Sequence, residues 1–325
     1  MNESILPSIR PSGPPPQPGV YADLAELVRL KFRTRGFSFL PRQPVHSILA
    51  GRHASRLRGR GLNFEEIRRY LPGDDIRNMD WHVTARTRQP YVRVYTEERD
   101  RPVLLVIDQR QSMFFGSHRA MKSVVAAEAA ALGAWRVLQA GDRVGALVFD
   151  DGDVVEIAPQ RAERQVLRIL ETVVEKNHAL RVDQGHKAHP AMLNRVLERT
   201  TRVAVHDFLV CLIGDATGAD TESVRHITLI SAHNDVLSAF IYDPLEAALP
   251  DAGRLVMAEG ALQLEVDTSE RGLRERYQSE FEQRLARIHE LSRQRQTPVL
   301  PLSTAEPVGV QLRALLGARE RGRRP

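Results

Sequence analysis

Val103-Leu104-Leu105-Val106-Ile107-Asp108 decides the fold class. Five apolar residues in a row leave no polar face for water. The run therefore suits a strand covered on both sides, as in parallel sheets flanked by helices. Three more runs share this character: Val144-Gly145-Ala146-Leu147-Val148-Phe149, the stretch 208–213 and the stretch 236–241. Helical patterns separate them. An alanine-rich segment over 119–139 stops at Gly141-Asp142, and others cover 161–175, 190–199 and 221–231, the last with Thr221 as candidate N-cap. Strands alternating with helices imply an α/β chain with a doubly wound, mostly parallel sheet. Further along, 154–157 reads as an edge strand, and 254–257 with 262–266 as a hairpin about Glu259-Gly260. A long charged helix over 271–295, a short strand over 298–302 and a helix over 310–316 follow.

Toward the N-terminus the pattern thins. Residues 1–19 carry Pro14-Pro15-Pro16 and are expected to be a disordered leader. Residues 20–100 are expected to form a small accessory region. In it, Leu24, Leu27, Val28 and Phe32 share one face of a helix over 21–32, and alternating Tyr91-Val92-Arg93-Val94-Tyr95 reads as a strand. The α/β domain takes 101–317, and 318–325 is a basic tail.

A chain of 325 residues, 42% hydrophobic and 27% charged, is ordinary for a soluble globular protein and can bury a core without staples. Its one cysteine, Cys211, lies in an apolar run and reads as a small buried hydrophobe. It can form no internal disulfide, which fits a reducing compartment. No segment approaches the roughly 20 apolar residues that span a bilayer. Residues 1–19 also lack the basic and apolar regions of a secretory signal, so a cytoplasmic location without membrane insertion is expected. The net charge is +5, and lysine occurs only at 31, 122, 176 and 187 among 46 basic residues. Arginine grips carboxylates and phosphates in a planar fork. Two readings stay open: an anionic partner, or arginines neutralised internally by the 41 acids.

Three of the buried strands end in acids: Asp108, Asp150 with Asp151, and Asp215. Ligands of open parallel sheets lie beyond the carboxyl ends of the strands, so Asp108 and Asp215 are expected on one rim. Two carboxylates plus hydroxyls could hold magnesium or manganese. Alternatively, the acids cap helices or accept from loop amides. His186 and His189 lie three apart without cysteine or a matched acid, so zinc is not expected. The sequence carries no Walker-type phosphate loop and no Gly-x-Ser-x-Gly nucleophile elbow.

The stretch Arg69-Tyr70-Leu71-Pro72-Gly73-Asp74-Asp75-Ile76-Arg77-Asn78-Met79-Asp80-Trp81 resembles the signature of the family known as domain of unknown function 58. So do Thr84-Ala85-Arg86-Thr87, Val92-Arg93-Val94 and Glu97-Glu98, and Tyr242-Asp243-Pro244-Leu245-Glu246 with Leu249-Pro250 resembles a later landmark. The resemblance implies a von Willebrand factor A-like core and a MoxR-type AAA+ ATPase as partner, because such chains are often encoded beside one. It implies no enzymatic activity. Von Willebrand factor A domains often bind a divalent cation at a site called MIDAS, whose first motif is Asp-x-Ser-x-Ser. Here Asp108-Gln109-Arg110-Gln111-Ser112 keeps Asp108 and Ser112 and puts Arg110 in place of the middle serine. The stretch Asp183 to Pro190 has no threonine for the second element, and Asp215 matches the third. The resemblance thus implies a degenerate rim of Asp108, Arg110, Ser112 and Asp215. A guanidinium has no lone pair to give a metal. Arg110 is therefore expected to form a salt bridge on this rim, and no resident metal is expected. Asp108, Ser112 and Asp215 are the ligands magnesium or manganese would use.

In the signature, Tyr70, Gly73, Asp74, Asp75, Arg77, Asp80, Trp81 and Arg86 stand out. They form either a docking surface or anion pocket, or a structural network. In the latter, Pro72-Gly73 turns, Asp74-Asp75 caps a helix and Trp81 is buried. The function expected is a non-catalytic protein-binding or adaptor module working with a MoxR-type ATPase in assembly or maturation of protein complexes. One alternative is a metal-dependent phosphoester hydrolase using Asp108, Asp150 and Asp215, though no general base is evident. The other is nucleic-acid binding through the arginine-rich 52–69 segment and the tail, where aromatic residues are sparse.

Overall fold

The computed structural model describes residues 18–34, 62–72, 74–97, 102–181, 189–259, 262–295 and 297–317. The leader up to residue 17, most of the arginine-rich 52–69 segment, Gly73, His186 and the basic tail lie outside these residues, whereas Gly19, expected in the disordered leader, accepts from the Met121 N–H at 2.8 Å. The chain divides into two compact units, residues 41–100 and the remainder.

The first helix, α1 (Leu24–Arg29), continues as a 3-10 turn over Leu30–Arg33. Asp23 caps it, accepting from the Glu26 N–H at 2.8 Å. This helix was expected in the accessory region, but it belongs to the large unit. Ala22 and Leu27 join that unit's core, the Trp135 indole donates to Leu27 O at 3.2 Å, and the Tyr21 hydroxyl donates to Leu180 O at 3.1 Å. The small unit therefore starts near residue 41 rather than 20. Phe32, expected on the buried stripe, is 80% exposed. The 3-10 turn winds at three residues per turn and carries it off that stripe.

The small unit contains β1 (Leu62–Arg69), α2 (Trp81–Thr87) and β2 (Tyr91–Glu97). The two strands pair antiparallel from Leu62 opposite Glu97 to Arg69 opposite Tyr91, with a bulge between Phe64 and Glu66. The signature fills the connection with a turn, a 3-10 turn over Ile76–Asn78, and α2.

The large unit runs β3 (Val103–Asp108), α3 (Lys122–Gln139), β4 (Val144–Phe149), β5 (Val154–Gln160), α4 (Glu163–Ala179), α5 (Met192–Val203), β6 (Leu209–Gly214), α6 (Thr221–Ser231), β7 (Asp235–Tyr242) and α7 (Pro244–Ala247). Then come β8 (Arg254–Glu259), β9 (Leu262–Asp267), α8 (Arg271–Arg295), β10 (Val299–Ser303) and α9 (Val308–Gly317). The main sheet has the order β10-β7-β6-β3-β4-β5. All its pairings are parallel except that of β5 with β4, and β8 with β9 forms a separate antiparallel hairpin. Every residue of β3 and β4 is buried, as the apolar runs require. One face of the sheet packs on α3 and α4, where Ala126, Ala127, Ala130, Ala131 and Ala134 let helix and sheet approach closely around the buried Trp135. On the other face, Leu104, Val106, Leu147 and Phe149 meet Val196 and Leu197 of α5 and Ile230 of α6. The cap of α6 is Asp220 and not Thr221. Its carboxylate accepts from the Glu222 and Ser223 N–H groups at 2.9 Å, and Ser223 Oγ accepts from the Asp220 N–H to close a capping box. Chain order reverses around β3, whose successor in sequence lies on one side and β6 on the other. A ligand crevice is expected at that tip.

Candidate functional site

Strand β3 delivers Asp108 and strand β6 delivers Asp215 to the same tip. Parallel register pairs Ile107 with Ile213, so Asp108 leaves the sheet beside the Gly214-Asp215 corner. A Cβ on Gly214 would stand 2.8 Å from Asp108 Cβ and 3.1 Å from its Oδ2. The missing side chain is what admits the carboxylate.

Arg110 fills the space between the acids. Asp108, Arg110 and Asp215 are each only 2% exposed. The Arg110 N–H donates to Asp108 Oδ1 at 3.0 Å, folding the chain back on itself. Its guanidinium Nε donates to the two Asp108 oxygens at 3.0 and 3.1 Å, and Nη2 to Oδ2 at 2.6 Å. The same Nη2 lies 3.7 Å from Asp215 Oδ1, and Nη1 donates to Thr217 O at 3.0 Å. The Phe149 ring backs the group, with Cζ 5.4 Å from its centroid.

A second cation, not singled out in the sequence, completes the rim. Lys122 opens α3 and is 2% exposed. Its ammonium donates to Asp215 Oδ2 at 2.9 Å and to Glu246 Oε1 at 2.7 Å. Glu246 belongs to α7, and its other oxygen accepts from the Asp243 N–H at 3.0 Å in a capping box. Fully buried Asp243 accepts from the Ser117 N–H at 2.8 Å, Ser117 Oγ at 2.5 Å, the Leu245 N–H at 2.9 Å and the Thr304 hydroxyl. An unbroken ionic chain, Asp108–Arg110–Asp215–Lys122–Glu246, thus crosses the carboxyl ends of β3, β6 and β7. A lysine in the first turn opposes the helix dipole, so the two carboxylates account for its place. The available signal was a lone charge inside Met121-Lys122-Ser123-Val124-Val125.

Burial drives the Asp108 carboxyl above the usual carboxylate range, against the pull of Arg110. For Asp215 burial pushes the same way, but Lys122, the Thr217 amide and Arg110 outweigh it and hold this carboxyl below that range. Burial opposes charge on Arg110 and Lys122 too. The facing carboxylates prevail and hold both above their ordinary values, so both cations are charged at neutral pH.

These residues do not fit a divalent cation. Both oxygens of Asp108 are engaged by the guanidinium, and those of Asp215 by the Thr217 N–H and Lys122. An entering ion would meet two positive groups at hydrogen-bond distance from the oxygens it needs. Ser112 is placed beside this turn, its Oγ buried and without a hydrogen bond among the described residues. No group of three His, Cys, Asp or Glu among the described residues is placed to hold a metal.

The other strand-tip acids are used elsewhere. Asp150 pairs with Lys176 at 2.8 Å and accepts from the Gly152 and Asp153 N–H groups at 2.8 Å, and Lys176 also contacts Asp153. Asp151 accepts from the Gln111 N–H at 2.6 Å and the His189 N–H at 2.8 Å. The three acids of the hydrolase reading are therefore not one cluster: Asp108 and Asp215 meet, and Asp150 neutralises a different lysine.

In the small unit the signature acids hold local structure. Asp74 takes a two-pronged grip from Arg68 at 2.8 and 2.9 Å and accepts from the Leu71 N–H at 2.8 Å. Asp75 caps the 3-10 turn through the Arg77 N–H at 2.9 Å. Asp80 caps α2 through the His82 and Val83 N–H groups and accepts from Arg93 Nε at 2.8 Å. The Arg68 bond to Asp74 and the Arg93 bond to Asp80 hold these carboxyls below their usual range. Tyr70 is half-buried, its N–H donating to Pro90 O at 2.9 Å. The expectation of a buried Trp81 is corrected: it is 67% exposed. Asp80, tied to β2, is the inward residue, and the next position turns outward. Arg77 and Arg86 are exposed as well.

A family model described as "Protein of unknown function DUF58" matches residues 66–287. The chain belongs to the DUF58 family. Relatives include the uncharacterized protein Rv1480 of Mycobacterium tuberculosis and the uncharacterized protein Mb1516 of Mycobacterium bovis. Each is 31% identical over 235 residues, covering 71% of this chain and 71% of the relative. Among solved structures, BatB from Bacteroides thetaiotaomicron aligns over 67% of this chain and 99% of its own, at 14% identity and a TM-score of 0.42. A von Willebrand factor type A protein from Catenulispora acidiphila aligns over 47% and 35%, at 14% identity and a TM-score of 0.28. The sheet of this DUF58 chain, parallel but for one edge strand and covered by helices on both faces, is the doubly wound α/β class expected from its sequence. None of its described helices is long and apolar enough to cross a membrane.

Proposed function

We propose that this chain is a non-catalytic protein-binding module of the cytoplasm that engages its partner without a bridging metal ion. The observation that carries the reading is the rim itself. Arg110 and Lys122 sit within 2.6–2.9 Å of the carboxylates a cation would use, closing the sheet tip with the chain's own charges. A rim closed in this way offers no open coordination position for substrate or water, which argues for surface recognition over hydrolysis. The resemblance to DUF58 chains encoded beside MoxR-type AAA+ ATPases supports such an ATPase as partner. A role as adaptor in assembly or maturation of protein complexes follows from it. The test mixes the purified full chain with the MoxR-type ATPase of its own organism and measures complex formation without nucleotide, with and without EDTA, and ATP turnover in magnesium. A complex that EDTA leaves unchanged is expected. No complex and no change in turnover would overturn the proposal, and so would a complex abolished by EDTA.

A further inference from the structure

Four large apolar side chains of the small unit stand in solvent: Ile67, Leu71, Ile76 and Trp81, at 38%, 59%, 64% and 67% exposure. Three of them are Leu71, Ile76 and Trp81, on described backbone that is tied at several points. The Asp74 N–H donates to Leu71 O at 3.0 Å, Arg68 clamps Asp74, and Asp75 and Asp80 cap the turns that follow. A preset backbone displays such side chains with little ordering cost on binding.

Among the described side chains of the unit, two acids are paired. Asp74 and Asp80 are neutralised by Arg68 and Arg93. The guanidinium groups of Arg69, Arg77, Arg86 and Arg88 are exposed and make no ion pair or hydrogen bond among the described residues. Asp75 is exposed as well and accepts only from the Arg77 N–H, so the described exposed side chains here set four unpaired arginines against one acid beside the apolar group; tryptophan with arginine is the pairing enriched at the centres of protein interfaces. A second copy of a chain of net charge +5 would bring like charge against like. Nucleic acid would need several aromatic platforms, whereas the exposed set has one aromatic and three aliphatic members.

We propose that this face docks an acidic segment of a protein partner that also carries apolar side chains. The proposal rests on the binding-module reading and adds a place and a chemistry to it. The probe is a displayed library of random short peptides selected on the full chain, with affinities then measured by fluorescence polarisation. Enriched peptides should combine Asp or Glu with large apolar residues, and their binding should weaken as salt is raised. Trp81→Ser should weaken it about tenfold or more, and Arg77→Glu with Arg86→Glu should do likewise. All these side chains are exposed, so thermal melts should match the parent chain. The surface is refuted if no peptide is enriched, if the peptides are basic, or if binding ignores both variants. Binding of a single-stranded oligonucleotide that Trp81→Ser abolishes also refutes it, in favour of nucleic acid. A complex with the ATPase that tolerates both variants sinks this surface while leaving the module reading intact. Selected acidic peptides without any ATPase complex do the reverse.

Discussion

Replacing Lys122 by methionine keeps the length of the side chain and removes the ammonium that joins Asp215 to Glu246. Breaking a buried pair by deleting one partner typically costs about 3–5 kcal/mol, because a desolvated charge is left behind. Two features pull this case toward the lower end. Glu246 is 20% exposed and can recover water. Asp215 keeps the Thr217 N–H at 2.9 Å and has Arg110 at 3.7 Å. At about 2–4 °C per kcal/mol for a unit of this size, a loss near 3 kcal/mol lowers the Tm by roughly 6–12 °C. The assay is a urea titration and a thermal melt of parent and variant, each repeated with manganese. Removing the cation also frees carboxylate oxygens, so manganese should raise the Tm of Lys122→Met and leave the parent chain unmoved. A variant within about 1 kcal/mol of the parent, or a parent that manganese stabilises equally, would refute the view that this lysine substitutes for an ion.

Gly214→Ala places a methyl group 2.8 Å from Asp108 Cβ. Overpacking of this kind should cost about 1–3 kcal/mol, read as a lower urea midpoint, and an unchanged midpoint would show that Asp108 can yield. Acid should destabilise the fold. Burial works against charge on Asp150, Asp215 and Asp243, but Lys176, Lys122 and the Ser117 and Thr304 hydroxyls respectively outweigh it and lower all three pKa values. Depressed carboxyls contribute stability that is present above their unfolded pKa of about 4 and lost as pH falls through the folded values. The urea midpoint should therefore drop between about pH 5 and 3, and a flat or rising midpoint across that window would contradict these pairings.

What the sequence disclosed follows from periodicity. The strands at 103, 144 and 209 are unbroken apolar runs, and the one at 235 is interrupted within its apolar stretch only by Ser238, because helices cover both faces of the sheet. Their acidic tips followed from chain direction alone. Strand β1 stayed hidden because Glu65-Glu66 and Arg68-Arg69 interrupt its alternation and a bulge resets its register. Arg110 announced itself by breaking a motif, whereas Lys122 looked like any charge at a helix start. Its partners, Asp215 and Glu246, lie 93 and 124 residues away, a distance no local pattern spans. Trp81 misled because size predicts burial only on average; the capping aspartate before it took the inward position.

Only four of the 46 basic residues are lysines, and two of them are nearly enclosed. This chain writes arginine almost wherever a positive charge will do, yet Lys122 and Lys176 are each nearly enclosed and each touch two carboxylates at a single nitrogen. A compact ammonium can serve two acids converging on one point, whereas a flat guanidinium fork needs them spread along its edge. In an arginine-rich dialect, then, each of these two enclosed lysines marks a spot where geometry overruled vocabulary, and exchanging it for arginine is no conservative change.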